Sequence, residues 1–172
     1  ISGYISNLVL YGNLSSNIGN IRTDINLKIR DNFNSFLING RIGSNYLHLN
    51  KLLPESGFNN ISFNSNSTIK LSTKKPFFAK TKIDISTFRF KNYNYKNIQI
   101  DGEITPTMFA GNFLLNDPNG YFNFNGQIAE NNNIKHFDFD AEIKNLNLNK
   151  LNIIDTYPNL AISVSTNANF SG

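Results

Sequence analysis

Apolar and polar residues alternate with a period of two along most of the chain. The clearest run is Ile21 to Ile29, where Ile21, Thr23, Ile25, Leu27 and Ile29 share one parity and Arg22, Asp24, Asn26 and Lys28 the other. Phe36, Ile38, Gly40 and Ile42 form a second such face, and Thr81, Ile83 and Ile85 a third. Ile98, Ile100, Gly102 and Ile104 follow, then Phe109, Gly111, Phe113 and Leu115, then Phe122, Phe124, Gly126 and Ile128. Phe137, Phe139, Ala141 and Ile143 oppose His136, Asp138, Asp140 and Glu142, and Ile162, Val164 and Thr166 close the series. Successive side chains of a strand point to opposite faces, so this pattern predicts half-buried antiparallel strands with one apolar and one wet face. It predicts roughly eleven to thirteen strands in a meander. Helical periodicity is missing, apart from short turns near Lys51 to Glu55 and Leu151 to Asp155, which Pro54 and Pro158 limit. Asn116-Asp117-Pro118-Asn119-Gly120 reads as a hairpin turn, with Pro setting φ and Asn-Gly accepting positive φ.

The pattern repeats. Phe36-Leu-Ile-Asn-Gly-Arg-Ile42 is echoed by Ile98-Gln-Ile-Asp-Gly-Glu-Ile104 and Phe122-Asn-Phe-Asn-Gly-Gln-Ile128. Phe137-Asp-Phe-Asp-Ala-Glu-Ile143 is a fourth copy with Ala in place of Gly, and Leu8 to Leu14 a looser fifth. At longer range, Leu47-His-Leu-Asn-Lys-Leu52 matches Leu146-Asn-Leu-Asn-Lys-Leu151. The offset makes a unit of about 100 residues, so positions 1–172 read as about one and two thirds repeats of a single region cut from a longer chain. Gly40, Gly102, Gly126 and Ala141 share the apolar parity. A missing side chain there lets a strand bend and opens a slot for a neighbouring ring or an apolar guest.

Composition narrows the chemistry. The chain has no Cys, which excludes a disulfide frame, a thiolate zinc site and a Cys nucleophile. Its 40% apolar and 13% aromatic content excludes simple disorder. No run of about 20 apolar residues is present to span a membrane as a helix. Asn is unusually frequent, 32 of 172 residues, which suits turns and wet strand faces.

The order Asn97 to Ile104, Phe109-Ala-Gly-Asn-Phe113, Asp117-Pro-Asn-Gly, Tyr121 to Ile128 and Leu146 to Leu151 resembles the repeat region of the TamB/AsmA-like family of bacterial envelope proteins. The likeness runs best from Ile21 to Phe170 and is closest in style to the Asn- and Ile-rich members in Bacteroidota. It implies an all-β fold, an elongated antiparallel meander sheet curled into a groove or β-taco with an apolar interior. It further implies a periplasmic location, a parent protein anchored in the inner membrane, movement of phospholipid between the two membranes, and support of outer-membrane protein assembly. An Omp85-like assembly barrel is the implied protein partner, met through family segments that have no counterpart in these residues.

An apolar face that few helices could cover must be buried by the sheet itself or by a guest. The residues expected to line such a groove and to hold phospholipid acyl chains are Ile25, Leu27, Ile29, Phe36, Ile38, Ile42, Ile83, Ile85, Ile98, Ile100, Ile104, Phe109, Phe113, Phe122, Phe124, Phe137, Phe139 and Ile143. A closed β-sandwich serving as an adhesive module is the alternative, and an outer-membrane barrel with its apolar face outward is a third option.

The residues give little support to catalysis, and no cofactor or metal is expected. His48 and His136 fall on polar parities. His136, Asp138, Asp140 and Glu142 lie about 6.5–7 Å from one to the next along one strand, too far apart to share an ion without a second strand. From Lys70 to Lys96 eight basic residues face one acid, Asp84. The interleaved stretch Phe88 to Lys96 has the look of a single-strand nucleic-acid binder but lacks the Gly-Phe core of an RNA-recognition strand, so no nucleic-acid partner is assigned. A solvated face, or contact with anionic headgroups, accounts for the run.

Overall fold

The computed structural model describes residues 2–4, 6–154 and 162–171. They form eleven strands: β1 (Ser2–Tyr4), β2 (Asn7–Ser16), β3 (Gly19–Arg30), β4 (Ser35–His48), β5 (Phe58–Ser72), β6 (Phe78–Phe90), β7 (Tyr93–Thr105), β8 (Met108–Asp117), β9 (Gly120–Asn131), β10 (Ile134–Asn147) and β11 (Ser163–Ser171). A 3-10 turn at Leu49–Lys51 begins two residues before the first expected turn, Lys51 to Glu55, and overlaps it only at Lys51. Of the second, Leu151 to Ile154 continues a turn out of β10, while Asp155 and Pro158 lie outside the described residues.

All eleven strands belong to one sheet in sequence order, each antiparallel to the next. β1 and β11 are the two edges and do not pair with each other, so the sheet is not a closed barrel. Among the described residues there is no second sheet, so the sandwich does not form. The sheet curls into a trough with an apolar concave face. Among the described residues no second sheet covers that face, yet burial alternates along β3: Ile21, Thr23, Ile25, Leu27 and Ile29 are buried or half-buried, and Arg22, Asp24, Asn26 and Lys28 are exposed. Curvature that draws one face inward produces this asymmetry.

The register shows where the sheet bends. Following the paired residues from β2 to β11, one row reads Leu10, Ile25, Gly40, Ser67, Thr81, Gly102, Gly111, Gly126, Phe139, Phe170. Its central six members, from β4 to β9, are small. Gly126 has φ +149°, and a Cβ there would meet the Asp138 carbonyl oxygen at 2.2 Å, so the strands approach more closely than any side chain allows. The fourth motif copy is out of step with this row. Phe139, not Ala141, faces Gly126, and Ala141 lies opposite Phe124. The sequence match therefore places the Ala of β10 one pair away from the glycines it aligns with.

Strand lengths recur at an interval of six strands: β2, β3 and β4 have 10, 12 and 14 residues, and so do β8, β9 and β10. The pairing is broken at equivalent places too, between Ser44 and Leu47 in β4 and between Ile143 and Leu146 in β10. Such bulges raise local twist and re-aim the strand toward the rim.

The convex face explains the asparagines. One of its rows reads Tyr11, Asp24, Arg41, Asn66, Lys82, Asp101, Asn112, Asn125, Asp140, Asn169. Asn112 Nδ2 donates to Asn123 Oδ1 at 2.8 Å, Asn169 Nδ2 to Asp140 Oδ1 at 2.7 Å, and Arg22 to Asn45 and Asn64 at 2.8 and 3.2 Å. These cross-strand pairs hold the wet face together.

Candidate functional site

Three inner rows build the trough wall. Beside the small-residue row, one row reads Leu8, Leu27, Ile38, Ile69, Ala79, Ile104, Phe109, Ile128, Phe137. It is apolar from β2 to β10. On the other side of the small residues the row runs Thr23, Ile42, Ser65, Ile83, Ile100, Phe113, Phe124, Ala141. The next reads Ser44, Phe63, Ile85, Ile98, Leu115, Phe122, Ile143. Ile29 and Phe36 pair at the far end of β3 and β4. The structure thus brings all of the expected wall residues onto one face. Ile25, Ile98 and Phe124 are buried and the others half-buried, with none exposed.

The wall is not uniform along its length. Over β4 to β6 the floor carries hydroxyls. Ser67 and Thr81 hydroxyls lie 2.5 Å apart, Ser65 donates to the Ile42 carbonyl at 3.0 Å, and Ser44 to the Asn20 carbonyl at 2.6 Å. Over β7 to β9 it becomes dry. Ile100, Ile104, Phe109, Phe113, Phe122, Phe124 and Ile128 line an open concavity of about 390 Å³. Its rings touch one another: Phe113 and Phe122 at 5.9 Å, Phe109 and Phe124 at 5.8 Å, and Phe124 and Phe139 at 5.0 Å between centroids. Ile128 is the lining residue absent from the expected set, although it closes the Phe122 motif and its parity marked it. Leu115 likewise shares the parity of Phe109 and Phe113, whereas the place of Ile69 and Ala79 in the wall depends on cross-strand register.

One rim of the dry segment is held by a polar clasp. Tyr93 donates its hydroxyl hydrogen to the Asp117 carboxylate. That carboxylate also accepts the backbone N–H groups of Lys96 and Asn119, each at 2.9 Å, and Asn119 Nδ2 donates to the Tyr93 oxygen at 2.8 Å. Burial, and then the hydrogen bond to Asp117, push the Tyr93 hydroxyl up to about 12. Tyr95 is also raised, by burial first and then by the charge of Asp117. Its hydroxyl donates to the Leu151 carbonyl at 2.5 Å. Leu151, at 0% exposure, folds back from beyond β10 toward β7. Its counterpart in the earlier repeat, Leu52, is 52% exposed.

The basic run from Lys70 to Lys96 is divided by the fold. Lys80 and Lys82 lie on the convex face against Glu103 and Asp101, at 3.3 and 3.8 Å. The interleaved aromatics Phe88, Phe90, Tyr93 and Tyr95 pack on one another and on Phe58, at 4.8 to 6.3 Å, rather than standing out as a stacking platform for bases. Lys74 and Lys75 sit in the loop between β5 and β6. His136, Asp138, Asp140 and Glu142 share the convex face, and the described residues contain no group of three or more His, Cys, Asp or Glu that could hold a metal ion. No described helix is long and apolar enough to cross a membrane.

Comparisons with protein-family models, curated proteins and solved structures found no match to the chain.

Proposed function

We propose that the trough is a non-catalytic lipid conduit, one segment of a TamB/AsmA-like protein of the cell envelope. Its wall holds phospholipid acyl chains as they pass between the inner and outer membranes, and the parent protein supports outer-membrane protein assembly from the periplasm. The observation that carries this reading is the dry concavity over β7 to β9, open along one side and lined by apolar side chains alone. An acyl chain lying there removes the exposed face from water. Burial is worth about 0.8 kcal/mol per CH2, so a twelve-carbon chain gains of order 10 kcal/mol before its lost freedom is charged against it. The hydroxyl-bearing floor over β4 to β6 leaves room for the more polar glycerol region of the same lipid.

The adhesive sandwich requires a second sheet to close a dry core, and the described strands form one sheet. The outer-membrane barrel requires a sheet closed on itself, and the eleven described strands form an open one.

A photo-crosslinking residue at Phe122, on the wall, and another at the adjacent Asn123, on the opposite parity, test the reading in cells. Lipid adducts at Phe122 and few at Asn123 are expected. Equal yields, or none at either site, would overturn it.

A further inference from the structure

The hairpin tips β3–β4 and β5–β6 project from the same rim of the trough and are tied to each other. Thr73 donates its N–H to the Asn34 carbonyl at 3.1 Å and its hydroxyl to Asn34 Oδ1 at 3.3 Å. Each tip ends in an aromatic ring that the wall does not use. Phe33 is 59% exposed and Phe77 37% exposed, next to exposed Pro76.

Phe33 is placed there at a conformational cost. Asp31, Asn32 and Phe33 all have positive φ, at 53°, 49° and 67°. A bulky side chain rarely takes that backbone, which asparagine tolerates well. The repeat supplies an internal control. The equivalent turn between β9 and β10 has two residues, Asn132 and Asn133, both left-handed, between the paired Asn131 and Ile134. That is the ordinary two-residue hairpin. The β3–β4 turn runs from Arg30 to Ser35 and is two residues longer. The extra length carries a phenylalanine out to the tip, where most of it faces water.

Charge around these rings is predominantly positive. Arg30, Lys74 and Lys75 flank the two tips and are exposed, with Lys28 and Lys70 one turn of strand behind them, against the single acid Asp31. Apolar rings at loop tips inside a basic collar match the two layers of a bilayer surface, anionic headgroups over an apolar interior. They do not suit nucleic acid, for which rings are held flat as a stacking platform along a groove.

We propose that this rim docks on an anionic membrane surface, with Phe33 and Phe77 inserted between headgroups and Arg30, Lys74 and Lys75 against the lipid phosphates. The inference goes beyond the conduit reading and does not rest on it, since a rim can dock whether or not the trough is loaded.

The chain has no Trp, so a single introduced indole reports insertion without background. The Phe33→Trp variant is mixed with vesicles of equimolar phosphatidylglycerol and phosphatidylcholine, and with pure phosphatidylcholine vesicles. On the anionic vesicles its emission shifts blue and is quenched by lipids brominated in their tails, and the effect weakens as salt is added. The Tyr11→Trp variant, on the convex face, does not respond. Reversing Lys74 and Lys75 to Glu in that reporter background weakens vesicle binding at least tenfold, about fivefold for each basic residue lost. Phe113→Asp, placed in the trough, leaves the rim signal in place, so failure of the conduit and failure of the rim are told apart. No shift at Phe33→Trp, or an equal shift at Tyr11→Trp, overturns the proposal. So does binding to a single-stranded oligonucleotide but not to vesicles, which would reassign the collar to nucleic acid.

Discussion

Gly111 sits directly opposite Gly102 across the β7–β8 pair, and a Cβ on Gly111 would lie 2.5 Å from the Gly102 Cα. The same Cβ would be 2.2 Å from the Asp101 carbonyl oxygen, and Gly111 has φ +150°. Backbone cannot retreat as the end of a side chain can. Gly111→Ala is therefore expected to cost about 2–4 kcal/mol, more than a Gly-to-Ala change at an unstrained site would gain. The urea midpoint of the variant measures it, and an unchanged midpoint would show that the crease tolerates a side chain.

The clasp from Tyr95 to Leu151 is the second point of leverage. Tyr95→Phe removes the donor to the Leu151 carbonyl and is expected to cost about 1–2 kcal/mol. Leu151→Ala empties a fully buried position and is expected to cost about 2–5 kcal/mol. Leu52→Ala, at the matching place in the earlier repeat, is expected to change stability by under about 0.5 kcal/mol. Equal losses at Leu151 and Leu52 would contradict the burial difference.

Tyr93 makes stability depend on pH at the alkaline end. Its folded value is about 12 against an ordinary 10.0. The folded chain keeps this proton where the unfolded chain gives it up, so the stabilisation is whole below about pH 10 and is lost as pH rises through about 12. The urea midpoint of the native chain should fall more steeply across that window than that of Tyr93→Phe. Parallel curves would mean that burial and the Asp117 hydrogen bond do not raise this hydroxyl.

Phe113 is half-buried and lines the concavity, so Phe113→Asp places a charge where an acyl chain would lie. The affinity of a fluorescent fatty acid is expected to fall at least tenfold, while Asn125→Asp on the convex face leaves it within twofold, by the cost of desolvating an unpaired carboxylate. Loss of binding in both variants would point to a global effect instead.

Strand direction and facing were legible in the sequence because they are local. Ile25 and Asn26 must point to opposite sides of any strand that contains them, and the same holds for Phe124 and Asn125. Alternation over many short segments, turn residues between them and the near-absence of helical periodicity therefore determined an all-β meander and which face of each such strand is apolar. Tertiary structure decided what depends on register. Ala141 matches the motif glycines in sequence yet faces Phe124, because pairing is set by the lengths of turns and by bulges, and a match between strands carries no information about either. Leu151 and Leu52 stand in the same repeated motif, but one is sealed beneath the Tyr95 clasp and the other lies open, since burial belongs to the neighbours and not to the residue. The crease has the same origin: six small residues scattered along the chain from Gly40 to Gly126 became a single line across the sheet only when the strands were paired.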